Sequence, residues 1–369
     1  MKVKVLHIIK SLGRGGAEML LPETLREHNK EDFEFHYIYF LPWKNQLVTS
    51  IEEEGGIVEN LPAKNNILLI LQLNNLIKYV RTNNIQIVHC HLPWAGFIGR
   101  LLYIRTGIPV IYTEHNKQER YHFLTKLINR WSFSFQSMVI AVSEDVSRSI
   151  KKNITTNISI QVVPNGVDTK KFDKKHIVPI AHPDISEDNF VIGTVAVFRF
   201  QKRLLEWLEV FHKIHLSNPN ARGIIVGDGP MRFDVEEKIR GLGLENVVKL
   251  AGLQTDVRPL LARMDVFMMS SIFEGLPIAL LEAMSMGCIP VTTNAGGIGE
   301  VIPSDQYGFV VPVDQWTQLA DKVESLIQNP TQCLQIKHAA RIRIQQSYSL
   351  KQMVACLEDI YRKFTVQIS

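Results

Sequence analysis

Strand-like and helix-like runs alternate along almost the whole chain, and this alternation limits the folds that it can adopt. Short apolar runs rich in valine and isoleucine are separated by longer amphipathic runs. This order is typical of β-α-β units, because parallel neighbouring strands need a crossover connection that is usually a helix. At 369 residues the chain is too long for one compact core, so two parallel sheets are expected.

A turn-rich stretch divides the alternation into two similar α/β halves. Pro164 and the dipeptide Asn165-Gly166 are strong breakers, and a polar stretch follows as far as Asn189. The predicted parts are a Rossmann-like doubly wound first domain, a connector, a second domain of the same kind and a C-terminal helix, at residues 1–163, 164–189, 190–345 and 346–369.

The charge is distributed unevenly between the two halves. Residues 1–163 carry 19 lysines and arginines against 14 acidic residues, whereas the whole chain has a net charge of only +4. An acidic partner or an anionic membrane surface would explain a basic first half, and so would ordinary scatter.

Cysteine usage and hydropathy bear on the compartment. Four cysteines without paired spacing fit free thiols in a reducing environment. Residues 3–9 are too short for a signal peptide, and no apolar run reaches 18 residues. We therefore expect a cytoplasmic protein.

Residues 270–282 place two carboxylates around the start of a predicted helix. Glu274 lies in the loop before the helix, next to Gly275 and Pro277, and Glu282 lies one to two turns inside it. Free N–H groups at the helix start favour an anionic ligand, which the acids could meet as acceptors for hydroxyl groups. Alternatively, Glu274 is an ordinary helix-start acid and Glu282 belongs to a solvated face.

Basic residues follow the predicted strand at residues 190–197. Arg199, Lys202 and Arg203 would lie at the carboxyl end of that strand, where open α/β sheets bind ligands. They could clamp a diphosphate and stabilise its charge as it leaves. The alternative, a solvated helix start, would put positive charge where it opposes the helix dipole.

Glycine-rich turns end three other predicted strands. Gly227 and Gly229 permit a tight turn that a flat base could approach, although such glycines are mostly structural. Residues 294–300 could offer backbone donors to phosphate oxygens. Gly15-Gly16 follows the first strand, but Glu18 breaks the G-x-G-x-x-G pattern, so a dinucleotide is not expected.

Histidines cluster at two strand ends. His89 and His91 lie on one side of a strand, but the sequence supplies no other metal ligand at usable spacing, so no metal site is expected. His115 could bond a substrate hydroxyl or be a satisfied structural histidine. The sequence has no D-x-D pair to hold a nucleotide diphosphate through a divalent metal, so basic side chains would have to do so.

Taken in order, these segments resemble the retaining GT-B glycosyltransferases of glycosyltransferase family 4. The segments that carry the resemblance are G-G-A-E at 15–18, V-H-C-H at 88–91, T-E-H at 113–115, V-S-E at 142–144, V-P-N-G-V-D at 163–168, R-F-Q-K at 199–202, G-D-G-P at 227–230, F-E-G-L-P…E at 273–282 and G-G-I-G-E at 296–300. The resemblance implies two Rossmann-like domains facing a cleft, with the C-terminal helix crossing back to the first domain.

The resemblance also implies roles for single residues. Glu274 would bind hydroxyls of the donor sugar, with the backbone of Gly275, Leu276 and Pro277 nearby, and Glu282 would hold the nucleotide ribose. The other implied donor-binding or catalytic residues are Arg199 and Lys202 at the diphosphate, His115 near the reacting sugar, Gly227 near the base, and Gly15 and Gly16 at the phosphates.

The basic segment departs from the family pattern in one respect. The family often has glycine before the arginine and after the lysine, where this chain has Phe198 and Arg203. The spacing from Arg199 to Lys202 is also shorter than is usual, so either Lys202 or Arg203 could be the second diphosphate partner.

The implied activity is retaining transfer of a hexosyl or N-acetylhexosaminyl group from a nucleotide-diphosphate sugar to an acceptor hydroxyl. A UDP-sugar is the first candidate donor and a GDP-sugar the second. The acceptor would be a glycan, a lipid-linked compound or a small molecule in polysaccharide or glycolipid synthesis. Neither a cofactor, a metal nor a nucleic-acid partner is expected. The alternatives are a nucleotide-sugar epimerase or hydrolase on the same fold, and a non-catalytic nucleotide-sugar-binding subunit.

The basic, aromatic-rich residues 117–135 lie beside His115. As a helix they could rest on an anionic membrane surface and make the protein peripheral on the inner face of the membrane. The alternative is a helix that packs its apolar residues into its own domain, namely Leu124, Leu127, Ile128 and Trp131.

Overall fold

A computed structural model describes residues 2–179 and 185–365, which form two compact units. Unit 1 consists of Met1–Asn165 and Leu350–Ser369, and unit 2 is Gly166–Ser349. Parts of the predicted connector and C-terminal helix, residues 180–184 and 366–369, lie outside the described residues.

Unit 1 contains one parallel sheet of seven strands in the order β3-β2-β1-β4-β5-β6-β7. Its elements are β1 (Val3–Ile8), α1 (Gly16–Glu27), β2 (Phe33–Tyr39), α2 (Val48–Glu53), β3 (Ile57–Asn60), α3 (Asn66–Leu71), α4 (Leu73–Thr82), β4 (Ile87–His91), α5 (Pro93–Thr106), β5 (Val110–Glu114), α6 (Phe123–Ser132), β6 (Met138–Ala141), α7 (Glu144–Asn153) and β7 (Ile160–Val162).

Unit 2 contains a parallel sheet of six strands in the order β10-β9-β8-β11-β12-β13. Its elements are β8 (Phe190–Val195), α8 (Leu204–Ser217), β9 (Ala221–Val226), α9 (Arg232–Gly241), β10 (Val248–Gly252), α10 (Arg258–Leu261), β11 (Val266–Met269), α11 (Ile278–Ser285), β12 (Ile289–Thr293), α12 (Ile298–Val301), β13 (Phe309–Val311), α13 (Leu319–Gln328) and α14 (Pro330–Ser347).

The last helix, α15 (Leu350–Thr365), belongs to unit 1 although it follows unit 2 in the chain. Leu357, Ile360 and Tyr361 are buried in the same core as strands β1 and β2. The Glu358 carboxylate accepts a hydrogen bond from the Asn29 backbone N–H at 2.8 Å and lies 3.0 Å from Nδ1 of His28. Apolar burial and these polar contacts attach the C-terminal helix to the first sheet.

Both sheets have a topological switch point, where neighbouring strands lead into connections that run in opposite directions. In unit 1 it lies between β1 and β4, and in unit 2 it lies between β8 and β11. Ligands of open α/β sheets bind outside the carboxyl ends of strands at such points. The segments after these four strands are therefore the first places to look for a site.

Three local predictions differ from the structure. The segment after Gly166, predicted as connector, packs in unit 2: Ser285 Oγ donates to the Phe172 carbonyl at 2.8 Å, and Arg341 pairs with Asp173 at 2.5 Å. The sequence pattern of residues 67–81 predicts one helix, but that helix is interrupted at Gln72, where α3 ends and α4 begins. The helix predicted at 117–135 spans only Phe123–Ser132, and its inward packing is wrong for Leu124, Leu127 and Trp131, which are exposed, while Ile128 is half-buried.

Two further predictions concern the cysteines and membrane-spanning helices. Cys90, Cys288, Cys333 and Cys356 are all unpaired with one another. Within residues 2–179 and 185–365, every helix is too short or too polar to cross a bilayer.

Candidate functional site

The loop after β11 and the turn after β8 meet at the switch point of unit 2. Lys202 Nζ lies 2.5 Å from Glu274 Oε1, and Ser271 Oγ donates to the same carboxylate oxygen at 2.7 Å. The Glu274 side chain is only 10% exposed and that of Lys202 only 20%. Two residues that the sequence assigned to a sugar and to a diphosphate are thus direct neighbours, 72 positions apart in the chain.

The basic segment is a single 3₁₀ turn over Phe200–Lys202, and it is anchored to the loop after β11. Ser270 Oγ donates to the carbonyls of Lys202 and Arg203 at 3.1 and 2.8 Å. The backbone N–H of Ile272 donates to the Gln201 carbonyl at 2.8 Å. These bonds position Lys202 relative to Glu274 without relying on the flexible lysine side chain itself.

The structure separates the three basic residues of this segment. Arg203 has a left-handed backbone (φ 49°), and its Nη1 donates to the Val313 carbonyl at 2.7 Å. Its guanidinium is therefore held by Val313, and Lys202 is the basic residue that contacts Glu274. Arg199 is exposed at the start of the turn, where its carbonyl accepts from the Lys202 N–H.

Gly227 and Gly229 support the basic segment through backbone contact. A Cβ on Gly227 would lie 1.9 Å from the Ala196 carbonyl oxygen, and one on Gly229 would lie 2.7 Å from the Phe198 backbone. Phe198 also exchanges backbone hydrogen bonds with Asp228 and Met231. These glycines are therefore needed for the turn after β9 to approach the exit of β8 closely.

The glycine-rich loop after β12 is packed against the backbone of Glu274. Gly296 has φ +68°, and a Cβ there would lie 2.2 Å from the Glu274 carbonyl oxygen. The Gly297 N–H donates to the Gly275 carbonyl at 2.7 Å. That donor, which the sequence offered to a phosphate, is instead used to hold the loop that carries Glu274.

The second acid lies on the next helix. Pro277 precedes the first residue of α11, and Glu282 is half-buried on that helix. The prediction that Glu274 precedes the helix and Glu282 lies inside it is confirmed. Gly275, Leu276 and Pro277 are buried between the two acids.

In unit 1, three histidines line up across the carboxyl ends of β1, β4 and β5. His7 Nδ1 and His91 Nε2 are 2.9 Å apart, and His91 Nδ1 and His115 Nε2 are 3.4 Å apart. Burial lowers the pKa of His115 to about 4 and holds the pKa of His91 well below its usual value. Near neutral pH these imidazoles are uncharged, so each ring can be a donor at one nitrogen and an acceptor at the other.

His89 belongs to the same cluster and has a partner at each nitrogen. Nε2 lies 2.6 Å from Thr113 Oγ1, and Nδ1 lies 2.7 Å from the hydroxyl of Tyr361 on α15. Burial lowers its pKa to about 3. Gly15 and Gly16 lie at the start of α1. The next residue, Ala17, lines with these histidines a cavity of about 20 Å³, enough for about one water molecule.

Three histidines of this cluster are close enough together to share a metal ion. Among the described residues, His7, His89 and His91 have nitrogen atoms within 4.8 Å of one another. The prediction that His89 and His91 lack further ligands is therefore wrong, because strand pairing brings His7 beside them. A hydrogen bond accounts for the short distance between His7 and His91, and the absence of a metal requirement stays a prediction.

The loop that follows His115 is built on a buried polar network that sequence reasoning missed. Glu114 accepts hydrogen bonds from Tyr112 at 2.9 Å, from Gln118 at 2.5 Å and from Tyr121. Asn129 Nδ2 continues the network by donating to Gln118 Oε1 at 2.8 Å.

Arg100 is fully buried at the centre of the same network. Its Nη1 donates to Asn129 Oδ1 at 2.6 Å, and its Nε donates to Gln136 at 2.9 Å. No pattern in the sequence predicts that these residues are buried together, because an arginine in an apolar helix is normally expected at the surface.

Comparison with known proteins gives matches in both halves. The family model "Glycosyltransferase Family 4" matches residues 14–171, and "Glycosyl transferases group 1" matches residues 180–343. The chain is 26% identical over 317 residues to the UDP-Gal:alpha-D-GlcNAc-diphosphoundecaprenol alpha-1,3-galactosyltransferase of Escherichia coli, covering 80% of this chain and 81% of that one. It is also 26% identical over 353 residues to the capsular polysaccharide biosynthesis glycosyltransferase CapM of Staphylococcus aureus, covering 89% and 92% of the two chains.

Solved structures agree on the fold. HepE of Anabaena, solved in complex with UDP and glucose, superposes with a TM-score of 0.84 over 98% of this chain and 100% of that one, at 19% identity. The two family models together cover most of the 369 residues. The chain therefore belongs to the glycosyltransferases of the GT-B fold, with a family 4 domain followed by a group 1 domain.

Proposed function

We propose that this glycosyltransferase moves a hexosyl or N-acetylhexosaminyl group from a UDP-sugar to an acceptor hydroxyl, with retention of the anomeric configuration. The observation that carries this proposal is the Lys202–Glu274 pair at the switch point of unit 2. A cation for the diphosphate and a carboxylate for the sugar are the two groups that a nucleotide-sugar site needs side by side. The UDP complex of HepE and the UDP-galactose donor in the name of the E. coli relative favour uridine as the base.

Each residue has a proposed part in the donor complex. Lys202 exchanges its contact with Glu274 for phosphate oxygens, and Arg199 shares the charge of the diphosphate. Glu274 then accepts hydrogen bonds from the sugar hydroxyls, and Glu282 accepts those of the ribose. His115 bonds a hydroxyl of the reacting sugar, while Gly15 and Gly16 face the phosphates and Gly227 faces the base.

The chemical step that we propose is front-face transfer. The bond between the anomeric carbon and the diphosphate breaks, and the acceptor oxygen bonds to the same face of the sugar. A phosphate oxygen of the leaving group takes the acceptor proton, so no protein base is required. Glu274 is a poor candidate for a covalent nucleophile, because its carboxylate accepts hydrogen bonds from Ser271 and, in the proposed donor complex, from the sugar hydroxyls.

The acceptor that we propose is a glycan on a lipid carrier, used in polysaccharide or glycolipid synthesis at the cytoplasmic face of a membrane. The names of the E. coli and S. aureus relatives support this class of acceptor, since one acts on a diphosphoundecaprenol-linked sugar and the other serves capsule synthesis.

The test is a donor and acceptor screen with the purified full-length chain. UDP-galactose, UDP-glucose, UDP-N-acetylglucosamine and GDP-mannose are each incubated with and without lipid-linked sugars, and products are analysed by NMR for the anomeric configuration. Transfer that requires acceptor and retains configuration supports the proposal. Inversion, hydrolysis or epimerisation without acceptor, or binding without turnover of any donor would contradict it.

A further inference from the structure

The helix α6 has its polar side buried and its apolar side exposed. Asn129 and Ser132 are each 1% exposed, and both accept hydrogen bonds from Arg100, at 2.6 and 3.0 Å. Phe123 and Trp131, by contrast, are 72% and 66% exposed. The buried arginine fixes this orientation, because turning the helix over would leave its guanidinium without partners in the interior.

The exposed apolar residues form one continuous stripe. Phe123, Leu127 and Trp131 follow one another at intervals of four, which places them on one side of α6, and Leu124 widens the stripe. Phe135, just beyond the end of the helix, extends it because its ring contacts that of Trp131. A surface helix of a globular domain normally presents such a stripe to its own core. Here it faces outward, so it is available to a partner.

A second group of exposed apolar side chains lies on the same side of the sheet. Ile67, Leu68 and Leu71 of α3 are exposed, and α3 and α6 both contact α5. Right-handed crossovers place the connections β3 to β4, β4 to β5 and β5 to β6 on one face of the sheet. The α6 stripe is thus part of a wider apolar face.

Positive charge exceeds negative charge in this part of unit 1. Residues 60–143 contain nine lysines and arginines but only two acids, Glu114 and Glu119. Glu114 is buried within its polar network, and Glu119 is bound by Ser149 and Asn153. Lys126 and Arg130 flank the stripe on α6 itself.

We infer that the α3–α5–α6 side of unit 1 is a docking surface for an anionic lipid bilayer. An outward aromatic and aliphatic stripe beside lysine and arginine is the pattern of a helix that lies in the plane of a membrane interface. The excess of positive charge complements anionic headgroups, and tryptophan and phenylalanine suit the boundary between headgroups and acyl chains. The inference deepens the proposed function, since a lipid-linked acceptor would be met at that surface.

The experiment is flotation of the full-length protein with vesicles of phosphatidylcholine, alone or mixed with phosphatidylglycerol. The double variant Leu127→Ser/Trp131→Ser removes apolar area, and Lys126→Gln/Arg130→Gln removes charge. The matched control is Phe233→Ser/Leu334→Ser, which alters two equally exposed apolar residues on helices of unit 2. All substituted apolar side chains are exposed, so thermal unfolding should stay unchanged in every variant.

Wild type and control should float with the phosphatidylglycerol vesicles, and added salt should weaken their binding. The apolar variant should lose about tenfold or more in vesicle affinity, and the charge variant should lose several-fold together with its salt dependence. No donor or acceptor is needed, so this result stands apart from whether sugar transfer is found.

Three results would overturn the inference. The first is the absence of flotation with anionic vesicles, and the second is equal loss in the control variant. The third is a dimer in solution that the α6 substitutions dissociate while vesicle binding is absent, since a second copy would then occupy the stripe.

Discussion

Lys202 Nζ and Glu274 Oε1 are 2.5 Å apart, although the two residues come from different β-α units of the second sheet. Their approach follows from the strand order, because β8 and β11 are neighbours and both segments leave the carboxyl ends of those strands. Both side chains are largely shielded from water, so the charge of each matters more to the other than it would on the surface.

Replacing Lys202 by alanine should lower kcat/KM for the donor by about a hundredfold or more, because a cation at the leaving diphosphate is lost. The measurement is initial-rate kinetics with saturating acceptor. Lys238→Ala is a matched control: Lys238 also lies 2.5 Å from a glutamate, Glu209, but on the surface of unit 2. Comparable losses in the two variants would mean that Lys202 acts only through general stability.

Alanine substitutions of the two acids should affect different steps of the reaction. Glu282→Ala should chiefly weaken binding of UDP, because the proposed contact is to the ribose, whereas Glu274→Ala should chiefly lower kcat. Calorimetric titration with UDP and turnover assays on both variants separate these effects. If both substitutions weakened UDP binding and turnover to the same degree, the division of roles would be wrong.

Gly296→Ala should destabilise unit 2 by about 2 kcal/mol or more and also reduce turnover. An alanine there combines left-handed backbone strain with a Cβ 2.2 Å from the Glu274 carbonyl oxygen. Gly243→Ala isolates the strain alone, since Gly243 has φ +67° but open space around it, and should cost about 1 kcal/mol. Urea unfolding measures the free energy of unfolding of both variants. Equal losses of stability would show that the Glu274 loop can shift to accommodate the new Cβ without an energetic cost.

Acidification below about pH 6.5 should destabilise unit 1, because its histidines resist protonation in the folded state. Burial lowers the pKa of His89 to about 3 and that of His115 to about 4, so the unfolded chain binds more protons than the folded one as the pH falls from 6.5 towards 4. His89 alone should remove roughly 2 kcal/mol of stability at pH 5.

Urea unfolding at pH 7 and pH 5 tests this sign. His89→Gln keeps a group able to bond Thr113 and Tyr361. This variant should lose stability less steeply between pH 7 and pH 5, because its unfolded chain takes up about one proton fewer. A protein that becomes more stable between pH 7 and pH 5 would contradict the proposed neutral cluster.

Chelation should leave sugar transfer unchanged. The sequence has no D-x-D pair, and Lys202 and Arg199 are proposed to neutralise the diphosphate in place of a divalent ion. The check is turnover after dialysis against EDTA, with and without added Mg²⁺ and Zn²⁺. If chelation abolished activity and Zn²⁺ restored it, the group of His7, His89 and His91 would be the first site to examine.

The ordering of strands and helices, and the placement of chemical groups along them, follow from the sequence. Glu274 before a helix and Glu282 within it depend on local signals, namely the apolar run of α11 and the proline that precedes it. The same holds for the basic turn after β8, since strand and turn residues are neighbours in the chain. Local patterns fail where a helix contains a hidden break, as at Gln72.

Tertiary structure alone decided which of these groups meet. From the sequence, either Lys202 or Arg203 could be the second diphosphate partner. In the structure Arg203 has a left-handed backbone and bonds Val313, so only Lys202 contacts Glu274. Strand pairing likewise places His7 in the histidine cluster, and the buried Arg100 binds the polar side of α6, so the apolar side of that helix is exposed. Periodicity reports which residues share a face, but strand pairing and the pairing of buried polar groups determine where that face points.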